Sequence, residues 1–291
     1  MKWDGVLRLR GDSLQGLAAR HGGRAAAGAD CAPRAIASID LAGEGDLAPL
    51  LSPRFVGLAR AAVDRGAALL VDDRTAASVR AAPWLWVHEH AKWALAALLG
   101  EVTVQDAEPV YGAGCSIAPT AIIGPRVVLG ERVVVGPGCV IGHSGFGWAL
   151  GPAGAARPIP QLAGVVIDHD VSLGPLCTVD AGTLSPTRIR RGAKIDAHVH
   201  VGHNADIGED TIVAAQCGFA GSVKLGRGVL VGGQVGIADH VVVGDGARIA
   251  AKSGVIGDVP PGAVVAGYPA VPRMRWLRAL AKLYALSGSG K

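Results

Sequence analysis

The sequence is poor in aromatic residues, 4% of 291, and in charge, 18%. It lacks any uninterrupted apolar run of the roughly eighteen residues that a membrane span needs. No transmembrane segment is therefore expected. Cysteine is scarce and scattered: Cys31, Cys115, Cys139, Cys177 and Cys217 form no CxxC pair. That pattern suits buried, reduced thiols in a cytoplasmic protein rather than a disulfide framework. The opening stretch, Met1-Lys2-Trp3-Asp4-Gly5-Val6-Leu7-Arg8, lacks the apolar core of a secretory signal, which gives the same cytoplasmic expectation. No glycine loop built for phosphates and no metal-ligand spacing occurs in the first hundred or so residues. Basic and aromatic residues do not interleave, so nucleic acid is not an expected partner.

Glycine is abundant instead. Forty-three glycines are about twice average usage and follow no collagen period, which calls for many tight turns. Half of the residues are apolar, enough for a large core and too many for wholesale disorder. Net charge is +4, yet Arg273, Arg275, Arg278, Lys282 and Lys291 follow Pro269 with no acid among them. That basic tail fits either a solvated helix face or an acidic partner.

The chain divides into three. Residues 1–108 read as a mixed α/β domain, with a helix capped by Ser13, a buried strand over Ala67–Val71 and a helix over Glu89–Leu99 that presents Trp93, Leu95, Leu98 and Leu99. Residues 109–268 carry a six-residue beat: Ile117, Ile123, Leu129, Val135, Ile141, then Ile167, Leu173, Val179. After a slip of four it runs through Ile189, Ile195, Val201, Ile207, Val213, Phe219, Leu225, Val231, Ile237, Val243 and Ile249. Six is neither a helical period nor a simple strand alternation. A short strand plus a corner uses it, and three of each close a triangular coil that stacks on the next at about 4.8 Å. This predicts a parallel β-helix with inward aliphatics, its ends capped by the flanking segments. Residues 269–291 place Trp276, Leu277, Leu280, Leu283 and Tyr284 at helical spacing, so the third segment is expected to be a basic helix, serving as an end cap or packing on a neighbouring subunit.

The beat fails over His143–Gly164, a loop with Phe146 and Trp148 that is long enough to suggest binding. Histidines cluster beyond it. His203 falls two residues after the inward Val201 and is expected to face outward from a flat strand. His240 lies thirty-seven residues on, two coils plus one, hence on the same side at about 10 Å along the axis. An imidazole is suited to general-base work because its ordinary pKa, about 6.5, lies near working pH.

Several motifs then converge. Gly145-Phe146-Gly147-Trp148, Ile159-Pro160-Gln161-Leu162, Val201-Gly202-His203-Asn204, Ala220-Gly221-Ser222 and Trp276-Leu277-Arg278 together resemble the UDP-3-O-(3-hydroxyacyl)glucosamine N-acyltransferases of the lipid A pathway. The resemblance is strong from about residue 111 onward. It implies a left-handed parallel β-helix, mainly β, with an N-terminal α/β domain that binds uridine, a C-terminal helix, and a homotrimer with sites between subunits. It implies transfer of a 3-hydroxyacyl chain from acyl carrier protein to the 2-amine of a UDP-amino sugar, with no metal or redox cofactor. His203 then matches the general base, His240 a second histidine that supports substrate or developing charge, and Gly221 the backbone oxyanion donor. Asp196 matches a family aspartate of less defined role, and a turn-capping role suits it equally. Phe146 and Gly147 match the region along the phosphopantetheine arm. Gln161 and Asn204 match substrate-side positions, and Phe55 the surviving uracil-stacking aromatic. The acidic carrier protein would suit the basic tail.

The chain also departs from the family. Asp180-Ala181-Gly182-Thr183 lacks the family's arginine, and Pro49, Ser52 and Phe55 stand where phenylalanine, asparagine and tyrosine are usual. Gly254 occupies the place of a bulky acyl-length stop in some members. A related hexapeptide acyltransferase acting on another amino sugar therefore stays open. So do two readings of other classes. One is a γ-type carbonic anhydrase-like hydratase, since His198 and His203 have its ligand spacing although His169 and His240 are out of phase for a third ligand. The other is a non-catalytic trimeric scaffold.

Overall fold

A two-residue strand is too short to stand alone, and this fold is built almost entirely from such strands, each held by the coils above and below it. The computed structural model describes residues 7–26, 31–102, 104, 106–267, 273–286 and 288. The expected features at residues 1–6, at 268–272 and at Lys291 lie outside them, as do the side chains of Arg273 and Trp276.

Three parallel sheets of seven, eight and seven strands run from Val110–Tyr111 to Val264–Val265. The register follows the eighteen-residue coil: His200 pairs with Gly218 and Gly218 with Gly236, while Val201 lies beside Phe219 and Phe219 beside Ile237. The predicted inward column is buried from Leu129 to Ile249. A second inward column, not foreseen, stands two residues earlier in each hexad: Val133, Cys139, Val171, Cys177, Val199, Cys217, Val223, Val229, Val235 and Val241. Each buried aliphatic contributes roughly 1.5–3 kcal/mol, and the repeating strand-and-corner lets every coil supply several. Three of the cysteines are thus bore-filling residues, whereas Cys31 and Cys115 are only half-buried.

Corners need backbone that strands avoid. His198, Asn204, Asp210, Gln216, Ser222, Gln234, His240 and Lys252 all have φ between 56° and 63°. A left-handed conformation costs a non-glycine residue about 1–2 kcal/mol. The stack offsets it with hydrogen bonds between successive corners, such as Ser222 N–H to His203 O (2.8 Å) and His240 N–H to Gly221 O (3.0 Å).

The N-terminal unit is a six-stranded sheet in the order Leu7–Arg8, Ala35–Ile36, Asp46–Leu50, Ala68–Val71, Leu85–Val87, Arg24–Ala25, parallel in its middle and antiparallel at both edges. The central strand Ala68–Val71 is buried throughout, as its apolar run requires. Helices Leu14–His21 and Ala91–Glu101 pack on one face. Helix Val56–Asp64 covers the other. Ser13 caps the first helix by accepting the Gly16 N–H at 3.2 Å.

Two expectations are corrected here. The N-terminal unit lies along the β-helix rather than across its end: Phe55 meets His240, and Arg54 is 4.0 Å from Asp258, both deep in the stack. The opening coil is consequently left with Ile117 and Ile123 only partly buried. The helix Arg273–Leu286 does not plug the other end of this chain, since Leu277, Leu283, Tyr284 and Leu286 stay exposed.

Candidate active site

The corner after each strand of the third sheet aligns a column of residues from successive coils. His203 stands at that corner, half-buried, rather than on the flat of a strand as expected. Its ring is wedged between two glycine backbones. A Cβ on Gly145 would fall 2.8 Å from the His203 Cβ, and one on Gly221 would fall 2.7 Å from both Cε1 and Nε2. Two coils separate His203 from His240, as the spacing predicted.

Asn204 fixes the orientation of that ring. Its Nδ2 donates to Ser185 O at 2.8 Å, and its Oδ1 accepts the Thr183 N–H at 3.2 Å. Oδ1 is therefore an acceptor, and the His203 Nδ1 at 3.1 Å must be the donor. The neutral imidazole is then the tautomer with a lone pair on Nε2, the atom lying over Gly221. Thr183 extends the network: its hydroxyl lies 2.8 Å from Asn204 Oδ1 and 2.6 Å from the Oε1 of buried Gln161. Gln161 donates in turn to Ile159 O. Among the described residues, no acceptor takes the Gly221 N–H.

Thr183 and Ser185 were missed as site residues. The signal was the four-residue slip after Val179. Those extra residues form a small loop that bridges back to Gly164 and grips Asn204. Asp180, noted in the sequence only as a departure point, is buried beside His203.

His240 is solvent-accessible but flanked by Phe55, with ring centroids 5.8 Å apart. Desolvation pushes its imidazole below the ordinary value. Asp239 opposes this, and the charges of Arg54, His203 and Lys92 add to it. Phe55, half-buried, is thereby brought to the same side of the molecule as His203, with the Arg54 guanidinium 5.2 Å from its ring centroid.

The long loop has two parts. Gly145–Gly147 forms a turn against the site, with Gly147 packed so close to Gln161 that a Cβ would lie 2.6 Å from Nε2. Phe146 projects outward, 88% exposed, and leans on Trp148 at 6.3 Å. The remainder is a hairpin, Trp148–Leu150 with Ala156–Pro158, that straps the β-helix to the N-terminal unit. Ala149 and Ile159 join that unit's core, and the Arg157 guanidinium stacks 3.8 Å over the Trp93 ring. Much of the loop's length therefore serves packing.

Asp196 is not brought to His203 within the chain. It lies at the preceding corner, exposed, where its Oδ1 accepts the Ala197 N–H at 2.8 Å, a turn-capping geometry. Among the described residues, no three His, Cys, Asp or Glu side chains are grouped as a metal ion needs, and His198 and His203 stand at different corners. Also among the described residues, no helix is long and apolar enough to cross a membrane.

Residues 186–221 match the bacterial transferase hexapeptide (six repeats) family. Over 138 residues, 47% of this chain and 39% of the relative, the protein is 56% identical to a UDP-3-O-acylglucosamine N-acyltransferase of Geobacter sp. (strain M21). Over 147 residues, 50% of this chain and 43% of the relative, it is 54% identical to one from Caulobacter vibrioides (strain NA1000 / CB15N). The matched span is thus about two fifths of the length of these curated relatives. A crystal structure of a UDP-N-acetylglucosamine acyltransferase from Bacteroides fragilis 9343 superposes with a TM-score of 0.50 at 18% identity, covering 61% of this chain and 74% of that one, which shows the shared fold. Residues 186–221 thus match the hexapeptide family, and about half of the chain is similar to N-acyltransferases.

Proposed function

We propose that this hexapeptide-repeat protein is an N-acyltransferase that moves a 3-hydroxyacyl chain from acyl carrier protein to the 2-amine of UDP-3-O-acylglucosamine, with His203 as general base. The observation that carries this reading is the His203–Asn204 hydrogen bond, which in the neutral ring puts the lone pair on Nε2, over the Gly221 backbone. A base needs geometry before pKa, and here the amide network supplies it.

In the proposed step the amine nitrogen attacks the thioester carbonyl carbon. The C–N bond forms as an amine proton passes to His203 Nε2. The carbonyl oxygen becomes an oxyanion, stabilised by the Gly221 N–H. Collapse breaks the C–S bond, and the His203 proton goes to the departing thiolate. His240, beside Phe55, supports the substrate or its developing charge. Asn204 and Gln161 hold the site, while Phe146 and Gly147 border the path of the phosphopantetheine arm. Phe55 stacks on the uracil ring. This chemistry draws on no metal or redox cofactor.

The wider reading follows the same resemblance: a cytoplasmic homotrimer with a site at each junction, its exposed basic helix meeting the acidic carrier protein. Residues 1–108 form the nucleotide-binding domain, 109–268 the acyltransferase β-helix, and 269–291 the C-terminal helix. A neighbouring subunit would also bring Asp196 near a site that its own chain does not reach. The altered positions Pro49 and Ser52 favour a second reading, in which another amino sugar is the acceptor. Mass spectrometry of products after incubation with UDP-3-O-acylglucosamine and a set of acyl carrier protein thioesters tests both. An N-acylated product supports the first. No product from this acceptor, with product from another UDP-amino sugar, supports the second.

A further inference from the structure

We propose that Asp180 is a positioning residue, a buried carboxylate held behind the His203 ring to supply the counter-charge for the imidazolium formed as the acceptor amine is deprotonated. The proposal rests on the acyl-transfer reading for its chemistry and on geometry for its placement. The proton passes from the amine to His203 Nε2 and from there to the departing thiolate, never to Asp180. Asp180 stays ionised through the step, so charge and protons balance.

Asp180 lies in the strand Thr178–Ala181 and is 6% exposed. Its Oδ2 and the Cβ and Cδ2 of His203 all lie within 3.1 Å of one point beside Gly145, where a Cβ would sit. Carboxylate and imidazole are thus at most about 6 Å apart, within the range over which a neighbouring charge acts strongly. Asp180 and Gly221 belong to the coils before and after His203: the point shared with Asp180 beside Gly145 meets the Cβ and Cδ2 atoms of His203, whereas Gly221 meets Cε1 and Nε2 most closely.

Two other imidazoles face the same group. His143 sits opposite Asp180 in the strand register of the preceding coil. His200, in the following coil, places Nε2 3.6 Å from Asp180 Oδ2, while its Nδ1 lies 2.8 Å from the Thr178 hydroxyl. Among the described residues no hydrogen bond reaches the Asp180 carboxylate. Burial pushes its carboxyl above the ordinary value of 3.8, against the pull of His200, His203 and His143. An ionised carboxylate held this way costs stability. Retaining it makes sense where charge develops nearby during a reaction.

The sign of the pH dependence follows. With its carboxyl raised in the fold, Asp180 binds its proton more tightly folded than unfolded, so stability falls as pH rises from about 3.8 through the raised folded value. Asp180→Asn escapes this loss. It should melt higher than the parent at pH 8, the gap closing toward pH 4, while kcat drops about 10- to 100-fold at unchanged KM and Asp180→Glu recovers part of it. In the substrate-free parent protein, the Asp180 carboxyl titration followed by 13C NMR should move upward when His203 is replaced by asparagine. That arm needs no acyl transfer, so it judges this proposal even if the transfer reading fails. An unmoved Asp180 titration, a lower melting point or failure to fold in Asp180→Asn, or parent kcat in that variant would each overturn the proposal.

Discussion

The imidazole of His203 lies against the backbone of Gly221, one coil further along the stack, so closely that a methyl group there would sit 2.7 Å from Nε2 and Cε1. Only a residue without a side chain lets the ring rest where it does. The corner backbone of Gly221 is not in the left-handed region, so an alanine would fold without strain and displace the ring instead. We predict that Gly221→Ala lowers kcat by about 10²-fold, the scale for losing an aligned donor or base. Its melting temperature should stay within a few degrees of the parent. Steady-state kinetics beside a thermal melt separates these outcomes.

Thr183 ties Gln161 to Asn204 and is the bridge on which the ring's orientation depends. Thr183→Val removes the hydroxyl, keeps the shape and leaves Gln161 Oε1 without that donor. A stability loss of about 1–3 kcal/mol is expected from the unsatisfied buried acceptor. A fall in kcat of about tenfold should accompany it, since the His203 Nδ1 contact loses its support. Urea unfolding and initial-rate measurements on the same preparation check both parts.

Trp93 and Arg157 join the N-terminal unit to the hairpin of the long loop through a 3.8 Å stack and a hydrogen bond from Arg157 to the Trp93 carbonyl at 3.3 Å. Arg157→Ala should cost about 1–2 kcal/mol, the range for a partly desolvated cation–π contact. Its effect should also reach the site, because the hairpin continues into Ile159 and Gln161. Denaturant unfolding gives the first figure, and KM for the carrier-protein thioester the second, expected to rise.

His240 is pushed below the ordinary histidine value, chiefly by desolvation. For a histidine depressed in the fold, the unfolded chain binds the proton more readily. Stability is therefore complete above about pH 6.5 and declines as pH falls through the lowered folded value. His240→Asn, which suits the left-handed corner, should lack this part of the acid-side decline. Melting temperatures from pH 8 to pH 4.5 for parent and variant should diverge below neutrality, the parent falling faster.

Much of this architecture was legible because a bore-filling residue recurs with the geometry of the coil. Ile189 to Ile249 needed nothing beyond their spacing. His203 and His240 were legible for the same reason, since an eighteen-residue coil converts sequence distance into position. What escaped lies where the beat breaks or where two units meet. Thr183 and Ser185 sit in a four-residue slip whose fold depends on Asn204, 21 and 19 residues away in sequence. The Phe55–His240 contact joins segments 185 residues apart that share no periodicity. The side-by-side placement of the N-terminal unit was likewise invisible, because the helical spacing of Trp93 is that of an ordinary core residue and carries no sign of the Arg157 guanidinium stacked on its ring. The second inward column, with Cys139, Cys177 and Cys217, was hidden by its mixed residue types.

His203→Ala decides the matter most simply. The substitution sits at a half-buried corner of ordinary backbone and should leave the melting temperature and circular dichroism near the parent's. Single-turnover acyl transfer at neutral pH is expected to slow by at least about 10²-fold, as loss of a general base requires. A variant that transfers acyl chains at the parent rate would show that Nε2 of His203 takes no proton from the amine.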